Sequence, residues 1–144
     1  MSIASKLLVF LQVSCLAYLL FFTKFMSQGL LLIIQISGIL LSLWAVITMR
    51  LGNFNIQPEL KQNAHFVNSG PYRRIRNPMY TGLIVFFGAG ILHSIELTQS
   101  IAFLILTLVL IFKIHFEEKF LEERFGSTYL LYKRKTYRLF PFVF

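Results

Sequence analysis

At 144 residues the chain has the length of one domain, but 56% hydrophobic residues, a mean hydropathy of +0.68 and only 14% charged residues exclude a soluble core of ordinary composition. It holds 16 Phe and no Asp, and its apolar residues gather in long runs, so lipid is the expected solvent. The net charge of +8 lies beside those runs, where anionic headgroups are nearer partners than nucleic acid, and no nucleic-acid partner is expected.

The first apolar run, residues 7–22, makes roughly 24 Å of helix, enough to span once its polar flanks snorkel. Only Lys6 precedes it and no small-x-small cleavage site follows, so it reads as a retained anchor and not as a signal peptide. Its Cys15 is the one cysteine of the chain, which excludes a disulfide framework and a thiolate zinc site and leaves packing. Residues 29–49 form a second span, joined to the first by a link short enough to impose an antiparallel hairpin.

From Arg50 to Asn77 the composition turns polar, with Asn53, Asn55, Gln57, Pro58, Gln62, Asn63, Asn68, Ser69, Gly70 and Pro71. Connections of this length are usually functional or disordered. The connection closes on Asn77-Pro78, where Asn suits the cap of a third helix and Pro suits its first turn. That third span covers about 80–95 and contains Gly88-Ala89-Gly90, which no strand precedes, so close helix packing is its expected use.

Glu96 to Gln99 is a polar turn, and a fourth apolar run covers residues 100–112. Residues 113–124 lack Pro and Gly, so one helix is expected to leave the bilayer and stop at Gly126. Arg50, Arg73, Arg74 and Arg76 lie between spans two and three, and Lys133, Arg134, Lys135 and Arg138 follow span four. The positive-inside rule places both groups, and both termini, in the cytosol. The expected fold is therefore an all-α polytopic membrane protein with about four transmembrane helices. Residues 1–50 form an N-terminal transmembrane hairpin, and residues 51–144 form a catalytic region with a cytosolic helix and basic tail.

Lys113 and Glu117 stand four apart, on one helix face that Phe120 and Arg124 continue. A cavity that receives both charges is one reading of this face. A boundary lysine that snorkels and pairs with Glu is the other. The stretch from His65 to Gly82 is dense in hydrogen-bonding groups beside a helix N-terminus, which favours anions. It also suits an arginine patch resting on lipid headgroups. His93 and His115 are too far apart, and too far from any thiolate, for a metal site, and no metal is assigned.

Phe66-Val67, Gly70-Pro71-Tyr72, Arg76-Asn77-Pro78-Met79-Tyr80-Thr81-Gly82, Glu117-Glu118, Phe125-Gly126, Tyr129 with Tyr132, and Arg138 with Pro141 occur in this order. In order and spacing they resemble the signature of the isoprenylcysteine carboxyl methyltransferase family, which is related to the integral-membrane phospholipid methyltransferases. The resemblance covers about residues 53–141. It implies an S-adenosylmethionine cofactor enclosed by Ala64, His65, Phe66, Val67 and Tyr72, with Asn77, Pro78, Met79 and Tyr80 as a second wall and Glu117 binding from the last helix. Gln57 corresponds, across a gap, to a cofactor-contacting glutamine. Lys113 falls at a substrate-site arginine.

Two departures bear on the substrate. Asn77 stands where histidine is usual and keeps a donor and an acceptor. Lys113 keeps the charge of arginine but lacks its two-pronged grip on a carboxylate. The resemblance implies carboxyl O-methylation of an isoprenylcysteine-like or other apolar acidic substrate that enters from the bilayer. N- or S-methylation of a lipid or small apolar molecule, and a non-catalytic scaffold or lipid-binding role, are the alternatives. The compact layout suits a bacterial inner membrane, with the endoplasmic reticulum as the other candidate.

Overall fold

Runs of apolar residues without proline fold as helices in lipid because every backbone N–H and C=O must find its partner inside the segment. A computed structural model describes residues 3–23, 26–49 and 66–143, and every long element among them is helical. Helix α1 covers Ile3–Phe22, α2 Leu30–Met49, α3 Pro78–His93 and α4 Leu97–Phe125, and a short α5 covers Ser127–Lys135. Among the described residues α1, α2 and α4 are long and apolar enough to cross a membrane, and α3 is a shorter apolar helix. Phe10, Phe21, Ile33, Leu40, Trp44, Ile47, Leu104 and Phe112 stand exposed on the first two and on α4, as lipid-facing side chains do.

The principal packing is α2 along α3 and α1 along α4, so the two N-terminal helices have different main partners. Small residues set the first of these contacts. A Cβ on Gly82 would stand 2.5 Å from the Gly38 carbonyl oxygen, and one on Gly38 would stand 2.7 Å from the Gly82 carbonyl oxygen, so the backbones nearly touch. At Gly88, in the expected packing motif, a Cβ would meet only the Phe103 ring, at 3.4 Å. Between the helix pairs lies a core of Leu19, Tyr80, Phe87, Ile91, Leu106, Leu110, Ile114 and Leu139.

Helix α4 has 29 residues, roughly 43 Å of length, and so exceeds a hydrocarbon core of about 30 Å. It ends where expected: Gly126 takes φ +52° and its N–H bonds the Glu122 carbonyl at 2.9 Å. At the opposite end the Gln99 amide donates to the Phe22 carbonyl at 2.9 Å and ties the start of α4 to the end of α1.

The basic tail, unassigned to any element from the sequence, supplies α5 and then turns back. Its Tyr137 pairs with Ile75 in an isolated parallel bridge. The Arg76 N–H donates to the Tyr137 carbonyl at 2.7 Å, and the Tyr137 N–H donates to the Arg74 carbonyl at 2.9 Å. Asn77 sits at the cap position of α3 without capping it through its side chain. Its amide donates instead to the Arg138 carbonyl at 3.1 Å. Thr81 adds a bond to the Leu139 carbonyl at 2.8 Å. Segment 74–81 is thus sewn to the tail.

Candidate active site

Four side chains from three helices meet in the C-terminal half of α4. Tyr80, in the first turn of α3, donates its hydroxyl to Glu117 Oε1 at 2.7 Å. Lys113, one turn before Glu117, lies with Nζ 5.5 Å from the centre of the Tyr80 ring. The same ammonium donates to Gln12 Oε1 of α1 at 2.7 Å, and Lys113 is only 1% exposed. The lysine therefore does not snorkel to water. It points into the protein, where Gln12 and the Tyr80 ring meet it.

The loop before α3 forms the next layer. Gly70 takes φ +54°, and a Cβ there would stand 2.7 Å from Thr48 Oγ1, so the chain hugs the end of α2 at a residue that needs no side chain. Pro71 then starts a 3-10 turn, Gly70–Arg73, that buries Tyr72. The Tyr132 hydroxyl of α5 donates to the Tyr72 carbonyl at 2.6 Å, and the Tyr72 hydroxyl reaches Met49 Sδ at 3.8 Å. Phe66 packs its ring 5.0 Å from Tyr132 and 5.4 Å from Phe125, with Tyr129 at 6.1 Å. Burial pushes the Tyr132 phenol up to about 12 against the pull of Arg76, and raises Tyr72 and Tyr129 as well. All three are neutral hydroxyl donors at physiological pH.

Glu118, next to Glu117, serves another purpose. Its side chain is 5% exposed and bonded by Arg76 Nε at 2.8 Å and Arg138 Nη2 at 3.0 Å, with Lys133 Nζ at 3.6 Å. Arg76 also donates to the Lys133 carbonyl at 3.1 Å and to the Thr136 carbonyl, and Lys133 pairs with Glu122. This cluster joins α4, the loop and the tail behind the Tyr80–Glu117 contact. Neighbouring carboxylates on a helix point about 100° apart, so one faces the site and one faces the clamp.

Of the expected site residues, Tyr80, Glu117 and Lys113 come together directly. Tyr72 and Phe66 line the adjoining loop layer, with Val67 half-buried next to Phe66. Pro78 is buried, and the Met79 carbonyl accepts from Ser42 at 3.4 Å. Asn77 is turned to the tail. Gln57, Ala64 and His65 lie outside the described residues. Gln12 and Tyr132 went unassigned in the sequence. Gln12 carried a signal, a polar amide in the middle of an apolar span, and Tyr132 stood in the family signature with Tyr129 but without a site role.

The family model for phospholipid methyltransferases matches residues 23–128, most of the chain. No curated protein matches it.

Proposed function

The chain belongs to the phospholipid methyltransferase family and is an integral-membrane methyltransferase, and from that premise we propose that it methylates, with S-adenosylmethionine, the carboxylate of an apolar, isoprenylcysteine-like substrate drawn from the bilayer. The observation that carries this reading is the buried Lys113 ammonium placed one turn from Glu117 and joined to it through Tyr80. A lysine held inside the protein by Gln12 and the Tyr80 ring, next to Glu117, supports a polar, acidic head on an otherwise apolar substrate.

The donor set suits the cofactor. Glu117 is a half-buried carboxylate fixed by one phenol, with acceptor capacity for a cationic or N–H-bearing group. The neutral phenols of Tyr72 and Tyr132 and the Phe66 ring offer an aromatic wall beside it. When bound, S-adenosylmethionine supplies an electrophilic methyl on a sulfonium, which a carboxylate oxygen takes as the C–S electron pair returns to sulfur, so no proton moves. Lys113 orients the acid, Glu117 holds the cofactor, and the loop with Tyr72 excludes water from both. Burial favours this reaction because opposite charges disappear in it.

In this reading α3 is a fourth, short span and both termini are cytosolic. The hydrogen bonding of segment 74–77 to the tail supports a single side for the basic residues of both, and the positive-inside rule assigns that side to the cytosol.

Calorimetry on detergent-purified protein with S-adenosylmethionine and its demethylated product tests the cofactor half. Glu117→Gln is expected to weaken binding at least about tenfold, the worth of a hydrogen bond to a charged group. Product analysis with N-acetyl-S-farnesylcysteine tests the substrate half by formation of a methyl ester. Unchanged cofactor affinity in Glu117→Gln refutes the assignment of that residue, and a methylated lipid amine in place of the ester moves the substrate to a phospholipid headgroup.

A further inference from the structure

One side of α5 faces the loop: Tyr129 is buried there and the Tyr132 ring packs on Phe66. The other side carries Leu130 and Leu131, 48% and 58% exposed, with Arg134 and Lys135 exposed one turn on. Helix α5 has no acidic residue. Its Lys133 is taken up by Glu118 and Glu122, whereas Arg134 and Lys135 have no ion-pair partner among the described residues. A side that mixes leucine with arginine and lysine suits neither bulk water nor hydrocarbon. It suits the boundary between them.

The fold sets α5 at the level of the helix ends. Tyr132 donates to the Tyr72 carbonyl, and the Tyr72 hydroxyl reaches Met49, the last residue of α2. Just past α5, the Arg138 carbonyl accepts from the Asn77 amide at the start of α3. Leu139 then enters the core and Phe140 packs against it. The chain turns back through Phe142, which takes the left-handed φ of +66°, and the Val143 N–H bonds the Phe140 carbonyl at 3.3 Å. That turn leaves Phe142 and Val143 88% and 82% exposed, beside a segment whose neighbours are core side chains. We propose that α5 and this turn form a docking surface for anionic phospholipid headgroups. Helix α5 lies flat on the leaflet, its leucines and the Phe142 turn enter the acyl boundary, and Arg134 and Lys135 meet the phosphates. Arg73 and Arg74, also exposed and without an ion-pair partner among the described residues, extend the same cationic surface. Lipid is the occupant because the unpaired charges are all positive and the apolar groups continue from the core of the spans. The Tyr137 and Arg74 backbones are bonded to each other, so the docked tail also fixes the depth of the candidate site.

The test uses the full-length protein in nanodiscs of phosphatidylcholine, with or without phosphatidylglycerol, whose acyl chains are brominated to quench tryptophan. Trp44, the one tryptophan and a lipid-facing side chain, is the positive control in the wild type. In a Trp44→Phe background, Leu131→Trp places an indole on the outer side of α5. Docked about 5–10 Å into the headgroup boundary, that indole is expected to emit to the blue and to lose about half its emission or more to bromine. Quenching is expected to be stronger with phosphatidylglycerol and to fall back to the neutral-lipid level in 1 M NaCl, where the Debye length is about 3 Å. Arg134→Gln and Lys135→Gln are each expected to weaken docking on the anionic discs by about fivefold. Phe142→Trp repeats the measurement on the turn should Leu131→Trp fail to fold. Red emission that bromine leaves unchanged gives this face to water and overturns the proposal. Blue emission without quenching overturns it in favour of a protein neighbour, a second copy of the chain included. Equal quenching in neutral and anionic discs overturns the assignment to anionic headgroups.

Discussion

Replacing Glu118 by Gln removes one negative charge and almost no volume, and so isolates the electrostatic part of the clamp. The Glu118 side chain is 5% exposed and that of Arg76 is 8% exposed, so the pair is buried at a bond length of 2.8 Å. Breaking such a pair costs about 3–5 kcal/mol, because the remaining charge stays out of water without its counter-ion. Arg76 keeps its bonds to the Lys133 and Thr136 carbonyls, which places the cost at the lower end, about 3 kcal/mol. Arg138 and Lys133, 24% and 33% exposed, can turn to solvent and add little. A loss of about 3 kcal/mol is roughly a hundredfold in the folding equilibrium. For a chain of this size it lowers Tm by about 6–12 °C. Thermal melts in detergent, followed by tryptophan fluorescence or helical circular dichroism, read the shift. Glu122→Gln is the control: Glu122 pairs with Lys133 alone among the cations of the cluster and is 36% exposed, so its Tm should move far less. An unchanged Tm in Glu118→Gln, or equal shifts in both variants, refutes the assignment of Glu118 to the clamp.

Gly82→Ala puts a methyl 2.5 Å from the Gly38 carbonyl oxygen and 2.1 Å from Ser42 Oγ, and while the serine can rotate the backbone oxygen cannot. The variant is expected to lose about 1–3 kcal/mol to overpacking, whereas Gly88→Ala, which meets only the Phe103 ring at 3.4 Å, stays near wild type in the same melts. Tyr132→Phe removes the 2.6 Å bond to the Tyr72 carbonyl and is expected to weaken S-adenosylhomocysteine binding several-fold, about 1 kcal/mol, with little change in Tm. Calorimetry showing full affinity would place that bond outside the working of the loop.

Much of this protein is legible in one dimension. The apolar runs mark the long helices, because in lipid a span is recognised by what its own residues are and no neighbour is needed to satisfy its backbone. The continuation of α4 beyond its apolar run and its stop at Gly126 follow from residues 113–126 alone. Lys113 and Glu117 share a face by helical geometry, and the order of loop and helix motifs points to the family that the match over residues 23–128 establishes.

Pairing is another matter. A span that is apolar on every side carries no stripe to say which neighbour it meets, so the association of α1 with α4 and α2 with α3 appears only in three dimensions. Four residues change meaning once it does. Gly82 reads as part of a loop signature in the sequence, and the fold makes it the point where two backbones touch. Asn77 reads as a cap and instead holds the tail. Glu118 reads as a twin of Glu117 and anchors an ion cluster on the other side of the helix. Gln12 has no role in the sequence reading and gains one when α1 lies against α4 and its amide oxygen meets Lys113, 101 positions away in the chain. The sequence determined the solvent, the helices and the chemistry available. The tertiary structure decided which of those groups face one another, because contacts across so many residues depend on packing that no local pattern encodes.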